Sequence, residues 1–227
     1  TLLTQDSKSL PKKAGDEIKV VIQGTPNMRA SFDLGNFKRQ IDMQEVDPGW
    51  YYGVYKVLPG DNVDKAIMTG YLKDDAGNVT QWVDAIGSIT LDTTPPDQPA
   101  GVKSTGRNKL VGLHWDKAKA ADLAGYIIYR SESPLSGYAP VGKTEFNDFI
   151  DTDKNLTDAK LYFYRISSVD FAGNESSPAQ VQGMPIAPGP TPVSGAIESD
   201  TTWYSGASPY ILESDLIIRD RALLTIE

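Results

Sequence analysis

An all-β protein of two consecutive sandwiches with a short β extension is what this sequence of 227 residues predicts, on three observations. Short β-branched and aromatic runs alternate along the chain, separated by clusters of Gly, Pro, Asn and Asp, which is the spacing of sandwich strands. Helical periodicity is nearly absent; residues 116–124 have helical propensity but span only about two turns, too little to persist alone. Two proline-rich segments, Asp92-Thr93-Thr94-Pro95-Pro96-Asp97-Gln98-Pro99 and Pro185-Ile186-Ala187-Pro188-Gly189-Pro190-Thr191-Pro192, punctuate the pattern. They are stiff connectors and set the expected parts at 1–94, 95–185, a linker at 186–192, and 193–227.

In the first module the strand-like runs are Glu17–Gln23, Ala30–Leu34, Trp50–Leu58, Ala66–Lys73 and Ile86–Leu91. Strand alternation within Trp50–Leu58 puts Tyr51, Gly53, Tyr55 and Val57 on one face and Trp50, Tyr52, Val54 and Lys56 on the other. Pro59-Gly60-Asp61-Asn62 and Asp75-Ala76-Gly77-Asn78 carry turn chemistry. The second module offers seven runs: Val102–Thr105, Leu110–Trp115, Gly125–Arg130, Tyr138–Lys143, Phe146–Asp151, Lys160–Asp170 and Ala179–Met184. Seven short strands are what a small immunoglobulin-like sandwich needs. Asp74-Asp75-Ala76-Gly77-Asn78 and Asp170-Phe171-Ala172-Gly173-Asn174 share the pattern Asp-x-Ala-Gly-Asn about one module length apart.

The second module resembles a fibronectin type III domain from Pro95 to Pro185. Leu113-His114-Trp115 supplies the buried tryptophan of an early strand, and Gly125-Tyr126-Ile127-Ile128-Tyr129-Arg130 looks like the central strand. Leu156 followed by Tyr162 matches the family's tyrosine corner, in which the hydroxyl bonds back to backbone near the leucine. Val169-Asp170-Phe171-Ala172-Gly173-Asn174-Glu175-Ser176 matches the closing hairpin of microbial members. The first module is similar to the Ig-like repeats that precede such domains in exported bacterial proteins, through Ala14-Gly15-Asp16-Glu17-Ile18 and Pro48-Gly49-Trp50-Tyr51-Tyr52-Gly53-Val54-Tyr55. Residues 193–227 resemble the opening of a right-handed parallel β-helix, through Ser194-Gly195-Ala196-Ile197, Thr201-Thr202-Trp203, Ser208-Pro209-Tyr210-Ile211 and the run from Ala222 to Glu227. A solenoid buries its faces only between neighbouring repeats. This tail is therefore expected to be strand-prone, weakly supported, and docked on the second module or another chain.

Composition narrows the chemistry. Lys and Arg number 22 against 30 Asp and Glu, a net charge of −8, which argues against nucleic-acid binding. The chain has no cysteine, hence no disulfide or thiolate metal site. No apolar run reaches the roughly 18 residues a spanning helix needs, so membrane insertion is not expected. His114 is the single histidine, placed by alternation opposite Trp115 and toward solvent; a Ser-His-Asp triad or a common zinc site would have no second candidate. Carboxylate pairs abound, but small sandwiches seldom form the cleft a glycosidase needs, and no intrinsic catalysis is expected. The start at Thr1 and the stop at Leu224-Thr225-Ile226-Glu227 read as cut points in a longer exported bacterial protein, extracellular or at the cell surface.

Two candidate sites remain. Trp50 and Tyr52 would face outward about 7 Å apart, a spacing that suits stacking on sugar rings or cover by another protein surface. Asp74, Asp75 and Asn78 with Asp92 supply hard oxygens, so calcium between modules is the alternative to plain turn chemistry, which is preferred. Asp170, Asn174, Asp148, Asp151 and Asp153 carry the same ambiguity. Trp115, Leu156 and Tyr162 are expected to be structural. The favoured function is a rigid spacer and interaction module, with other domains of the parent protein as partners. The alternatives are carbohydrate binding, and adhesion or self-assembly in which 193–227 donates a strand.

Overall fold

The computed structural model describes the backbone of residues 2–5, and residues 10–84 and 87–227 in full. The chain divides into two compact units, Thr1–Pro96 with Asp170–Glu175, and Asp97–Val169 with Ser176–Glu227. The described residues are all-β apart from a 3-10 turn at Ser205–Ala207.

The first unit contains β1 (Leu2–Gln5), β2 (Glu17–Gln23), β3 (Arg29–Leu34), β4 (Lys38–Asp47), β5 (Trp50–Lys56), β6 (Val63–Ala66), β7 (Met68–Lys73), β8 (Val79–Val83) and β9 (Ile89–Leu91). Seven strands run in the order β1-β2-β5-β4-β3-β7-β8, and β6 pairs with β9. The first half of β4 pairs with β3 (Phe32 opposite Ile41), and its second half pairs with β5 (Gln44 opposite Tyr52). One long strand thus belongs to both halves of the sandwich. Alternation does the rest: Ile18, Val20 and Ile22 of β2, Phe32 and Leu34 of β3, Tyr51 of β5 and Met68 of β7 point into one core. Each such side chain contributes about 1.5–3 kcal/mol of hydrophobic stabilisation. Gly53 keeps that core closed, because a Cβ there would lie 2.8 Å from the Phe32 ring and 2.7 Å from Met43.

Several expected boundaries shift. The run Ala66–Lys73 is two strands, broken at exposed Ile67, because β6 pairs with β9 while β7 pairs with β3. Trp50–Leu58 ends at Lys56, and β9 begins at Ile89, with Ile86 outside the described residues. The expected list omits β1, β4 and β8; β4 buries only Met43, so pairing on both flanks holds it rather than side-chain burial.

The second unit builds a three-stranded sheet, β10 (Lys103–Arg107), β11 (Leu110–His114) and β14 (Asp148–Asp151), over a four-stranded one. The latter has the order β13 (Ala139–Thr144), β12 (Leu123–Ser131), β15 (Tyr162–Asp170) and β16 (Ala179–Gly183). This is a fibronectin type III-like sandwich, and all seven expected runs correspond to strands. Phe146 lies outside its strand, exposed in a turn, and Lys160–Leu161 precede β15. Trp115 lies one residue past β11, where its N–H donates to the Asn147 carbonyl at 2.9–3.0 Å geometry typical of a ladder bond, here 3.0 Å. Its ring is fully buried and meets Tyr126 edge-on at 5.0 Å. Tyr162 closes the corner: its hydroxyl accepts from Thr157 N–H at 3.1 Å and donates to the Asn155 carbonyl at 3.3 Å, beside buried Leu156.

The terminal segment also belongs to the second unit. It contains β17 (Thr191–Ile197), β18 (Thr201–Trp203), β19 (Tyr210–Ile218) and β20 (Leu224–Ile226). β17 begins at Thr191, inside the stretch expected to be linker. The tail's strands pair with each other, in parallel: β17 with β19 and β18 with β20, with Val193 opposite Leu212, Ile197 opposite Ile218 and Trp203 opposite Ile226. Two stacked rungs result, locked at one corner by the Trp203 and Tyr210 rings, parallel at 4.5 Å.

Candidate functional site

Tyr51 fixes the rotation of β5. It is buried, its hydroxyl donates to the Thr25 carbonyl at 2.7 Å, and it accepts the Met28 N–H at 2.9 Å. With that residue pinned inward, strand alternation turns its neighbours outward: Trp50 is 39% exposed and Tyr52 36% exposed, with Val54 on the same face. Gln23 lies directly opposite Trp50 on β2, and Gln44 opposite Tyr52 on β4. The result is a half-exposed apolar stripe flanked by two primary amides. Such a surface can stack on a flat apolar face while the amides exchange hydrogen bonds with hydroxyl groups. The flanking glutamines were not legible from the sequence, since only strand register places them there.

The acidic residues divide by task. Asp74 spends its carboxylate on its own turn, accepting the Asn78 N–H and side-chain amide, both at 2.8 Å. These bonds, from the Asn78 side chain first and its backbone second, hold the Asp74 carboxyl below the usual range. Asp170 and Asn174 repeat the arrangement at the same distances. Asp75 is exposed at the turn. Asp92 accepts the Thr94 N–H at 3.0 Å and, within the first unit, its carbonyl takes the Asn174 amide at 2.8 Å. Among the described residues, Asp74 and Asp75 join no acidic cluster, whereas carboxylate oxygens of Asp92 and Asp170, both in the first unit, lie within 4.8 Å of one another, close enough to share a cation.

Asp151 is buried and receives Arg130 Nη1 at 2.7 Å and the Tyr164 hydroxyl at 2.9 Å. Arg130 Nη2 reaches Asp153 at 2.9 Å. Burial, reinforced by Asp151, pushes the Tyr164 hydroxyl far above its ordinary value. Burial acts to lower Arg130, but its bonds to Asp153 and Asp151 hold it higher still. Asp153 is drawn down by the Asn155 N–H first and Arg130 second. Asp148 is exposed in β14 opposite His114, itself exposed on the face away from Trp115.

Open concavities lie in both units. One of about 780 Å³ in the first unit is lined by Asp33, Arg39, Asp64 and Tyr71, where Asp33 already accepts the Gln40 N–H and the Tyr71 hydroxyl. Another of about 510 Å³ in the second unit lies between β10, β16 and the 3-10 turn, lined by Thr105, Gln182, Tyr204 and Glu227. No helix among the described residues is long and apolar enough to cross a membrane.

No family model matches the chain. Among curated proteins, an amylopullulanase of Thermoanaerobacterium saccharolyticum is 32% identical over 108 residues, 45% of this chain and 8% of the relative. An amylopullulanase of Thermoanaerobacterium thermosulfurigenes is 32% identical over 122 residues, 54% of this chain and 6% of the relative. The chain thus spans less than a tenth of either relative's length. Among solved structures, the FN1–FN3 domains of chicken CNTN1 superpose with a TM-score of 0.50 at 13% identity, covering 79% of this chain and 64% of that one. The fibronectin(III)-like modules of Clostridium thermocellum CbhA give 0.48 at 12% identity, covering 82% and 95%. The likeness is one of fold: tandem fibronectin type III-like and Ig-like sandwiches.

Proposed function

We propose that this chain is a non-catalytic spacer and interaction segment of a larger exported protein that acts on polysaccharide. The observation that carries this reading is how the polar groups are used. Asp33, Asp61, Asp151 and Asp170 each hold backbone N–H groups, tyrosine hydroxyls or an arginine in place, the work of a scaffold. The local likeness to two amylopullulanases, each much longer than this chain, supports a place within a multidomain protein. A polymer substrate too large to enter a cell favours a location outside it. The test is direct: the purified chain is incubated with pullulan and with amylopectin, and reducing ends are counted. The scaffold reading expects none above buffer; steady release would sink it.

A second reading rests on the stripe of Trp50, Tyr52 and Val54. Half-exposed aromatics beside Gln23 and Gln44 fit a weak contact with a glucan chain, and the relatives' names make α-glucan the polymer to try first. Affinity electrophoresis in gels containing pullulan decides it: retardation abolished by Trp50→Ala supports glycan contact, and equal mobility with and without polymer removes it.

A further inference from the structure

We infer that the concavity lined by β3, β6 and β7 of the first unit is a binding site for a short neutral oligosaccharide, held by Asn36, Arg39, Asp64 and Lys65 against the apolar side chains of Phe37 and Ile67. It shares no residue with the Trp50–Tyr52 stripe, goes beyond the spacer reading, and fails separately from both.

The concavity exists because the chain breaks at Ile67, which separates β6, paired with β9, from β7, paired with β3. Asp33 lies opposite Thr69 in the β3–β7 ladder, on the parity that faces away from the core residues Phe32, Leu34 and Met68. This floor is fixed before any ligand arrives. The Tyr71 hydroxyl donates to Asp33 at 3.1 Å, and the Gln40 N–H donates to its other oxygen at 2.7 Å. Burial, then the bond to Asp33, raise the Tyr71 hydroxyl above its ordinary value, so it stays protonated and committed to that contact. The rim is pinned in the same manner. The Thr90 hydroxyl accepts the Lys65 N–H at 3.2 Å and donates to Asp64 at 3.3 Å. Lys65 stands at φ 50° and Gln40 at φ 54°, a left-handed backbone that residues other than glycine seldom adopt. Thr90 and Asp33 thus hold the rim in a shape that local sequence alone would not choose.

The chemistry of the lining selects the ligand. Asp33 and Asp64 are matched by Arg39 and Lys65, so the charges cancel locally in a chain of net charge −8. A phosphate or carboxylate would meet both aspartates, and a cation would meet both bases; a neutral ligand avoids either conflict. Asp33 is spent on the floor, whereas Asp64 is exposed and makes only the 3.3 Å contact. Arg39 donates to Asn36, and among the described residues neither Arg39 nor Lys65 has a carboxylate within ion-pair reach. Donors and acceptors therefore stand side by side on the rim, which suits hydroxyl groups, since each both donates and accepts. Phe37, anchored on the core, and Ile67, 51% exposed, offer apolar surface to the C–H face of a sugar ring. The volume of about 780 Å³ falls within the range of about 300–1,000 Å³ typical of small-molecule sites.

The probes are maltotriose and cellotriose, each titrated into the whole isotope-labelled chain and followed by backbone amide chemical shifts. Saturable shifts centred on residues 33–39 and 63–71 are expected with at least one of them, and the sugar that binds identifies the linkage. Arg39→Ala and Asp64→Ala should each weaken the affinity about tenfold, because each removes a hydrogen bond to a charged group. Both positions are exposed, and the amide spectrum of each variant checks that the fold persists. No shifts at millimolar sugar, shifts that gather on Trp50 and Tyr52 instead, or unchanged affinity in both variants would overturn the proposal. So would inorganic phosphate binding the same residues more tightly than either sugar, since the concavity would then be an anion site.

Discussion

Asp170 holds Asn174 by two hydrogen bonds of 2.8 Å, one from the backbone N–H and one from the side-chain amide, and Asp74 holds Asn78 in the same way at 2.8 Å. Both turns also bond the glycine N–H back to the aspartate carbonyl at 3.1 Å, with Gly77 at φ 90° and Gly173 at φ 83°. The shared Asp-x-Ala-Gly-Asn is thus one turn built twice: glycine supplies the positive φ, and the aspartate supplies acceptors for the asparagine.

The two copies differ in burial, and that difference sets the first prediction. Asp170 is 2% exposed, so Asp170→Ala takes the acceptor from the buried Asn174 N–H, while the side-chain amide keeps the Asp92 carbonyl, and should cost about 2 kcal/mol. Asp74→Ala exposes its donors to water and should lower the melting temperature less. Calcium at millimolar concentration should leave the melting temperature unchanged if turn chemistry alone occupies these carboxylates; a clear rise that Asp170→Ala abolishes would show a cation held by Asp92 and Asp170, whose carboxylate oxygens lie within 4.8 Å. Thermal melts of the two variants, with and without calcium, read all of this.

Acid should loosen the chain in a defined direction. Asp74 and Asp153 have folded-state values below the ordinary 3.8, set chiefly by the Asn78 side chain and the Asn155 N–H respectively. A depressed carboxylate contributes stability that is present above its unfolded value and lost as pH falls through the folded one. Melting temperature should therefore hold steady down to about pH 4 and then decline. Asp153→Asn should flatten part of that decline, and a variant with an unchanged acid slope would refute the assignment.

Asp151 makes a stronger prediction because it is buried with its partners. Removing it strands the Tyr164 hydroxyl and leaves the Arg130 guanidinium with Asp153 alone; loss of one member of a fully buried pair costs about 3–5 kcal/mol, and the remaining Asp153 contact puts the expected cost toward the lower end of that range. Tyr164→Phe removes only a neutral donor, and the charge pair remains, so about 1 kcal/mol is expected. Urea melts of the two variants give the ordering; equal losses would mean the ion pair carries little of it.

What the sequence revealed follows from how local each signal is. Trp115, Leu156 and Tyr162 were legible because one short motif contains both the corner tyrosine and the leucine it guards. The parity of β5 was legible because alternation fixes faces without knowledge of neighbours. β4 was not, since Lys38–Asp47 is charged and its strand state comes from partners on both sides. The register that sets Val193 opposite Leu212 was likewise out of reach, because period-2 patterning is the same in any register; only the likeness of residues 193–227 to a parallel solenoid pointed to the strand direction. Nor could spacing disclose that Asp151 is buried between Arg130 and Tyr164.

Adjacent residues of β5 supply the last prediction, with opposite outcomes expected from neighbouring positions. Tyr51→Phe keeps the ring in the core but leaves the Thr25 carbonyl and the Met28 N–H without the hydroxyl that bridges them at 2.7 and 2.9 Å. Part-buried backbone groups stripped of a partner cost about 1–3 kcal/mol. Trp50→Ala removes a larger side chain, yet one already 39% exposed and making no core contact, so its cost should stay below about 1 kcal/mol. Chemical denaturation of the two variants would check this. A larger loss for Trp50→Ala would mean that the tryptophan is covered in solution, which would remove the glycan reading and leave a packing role in its place.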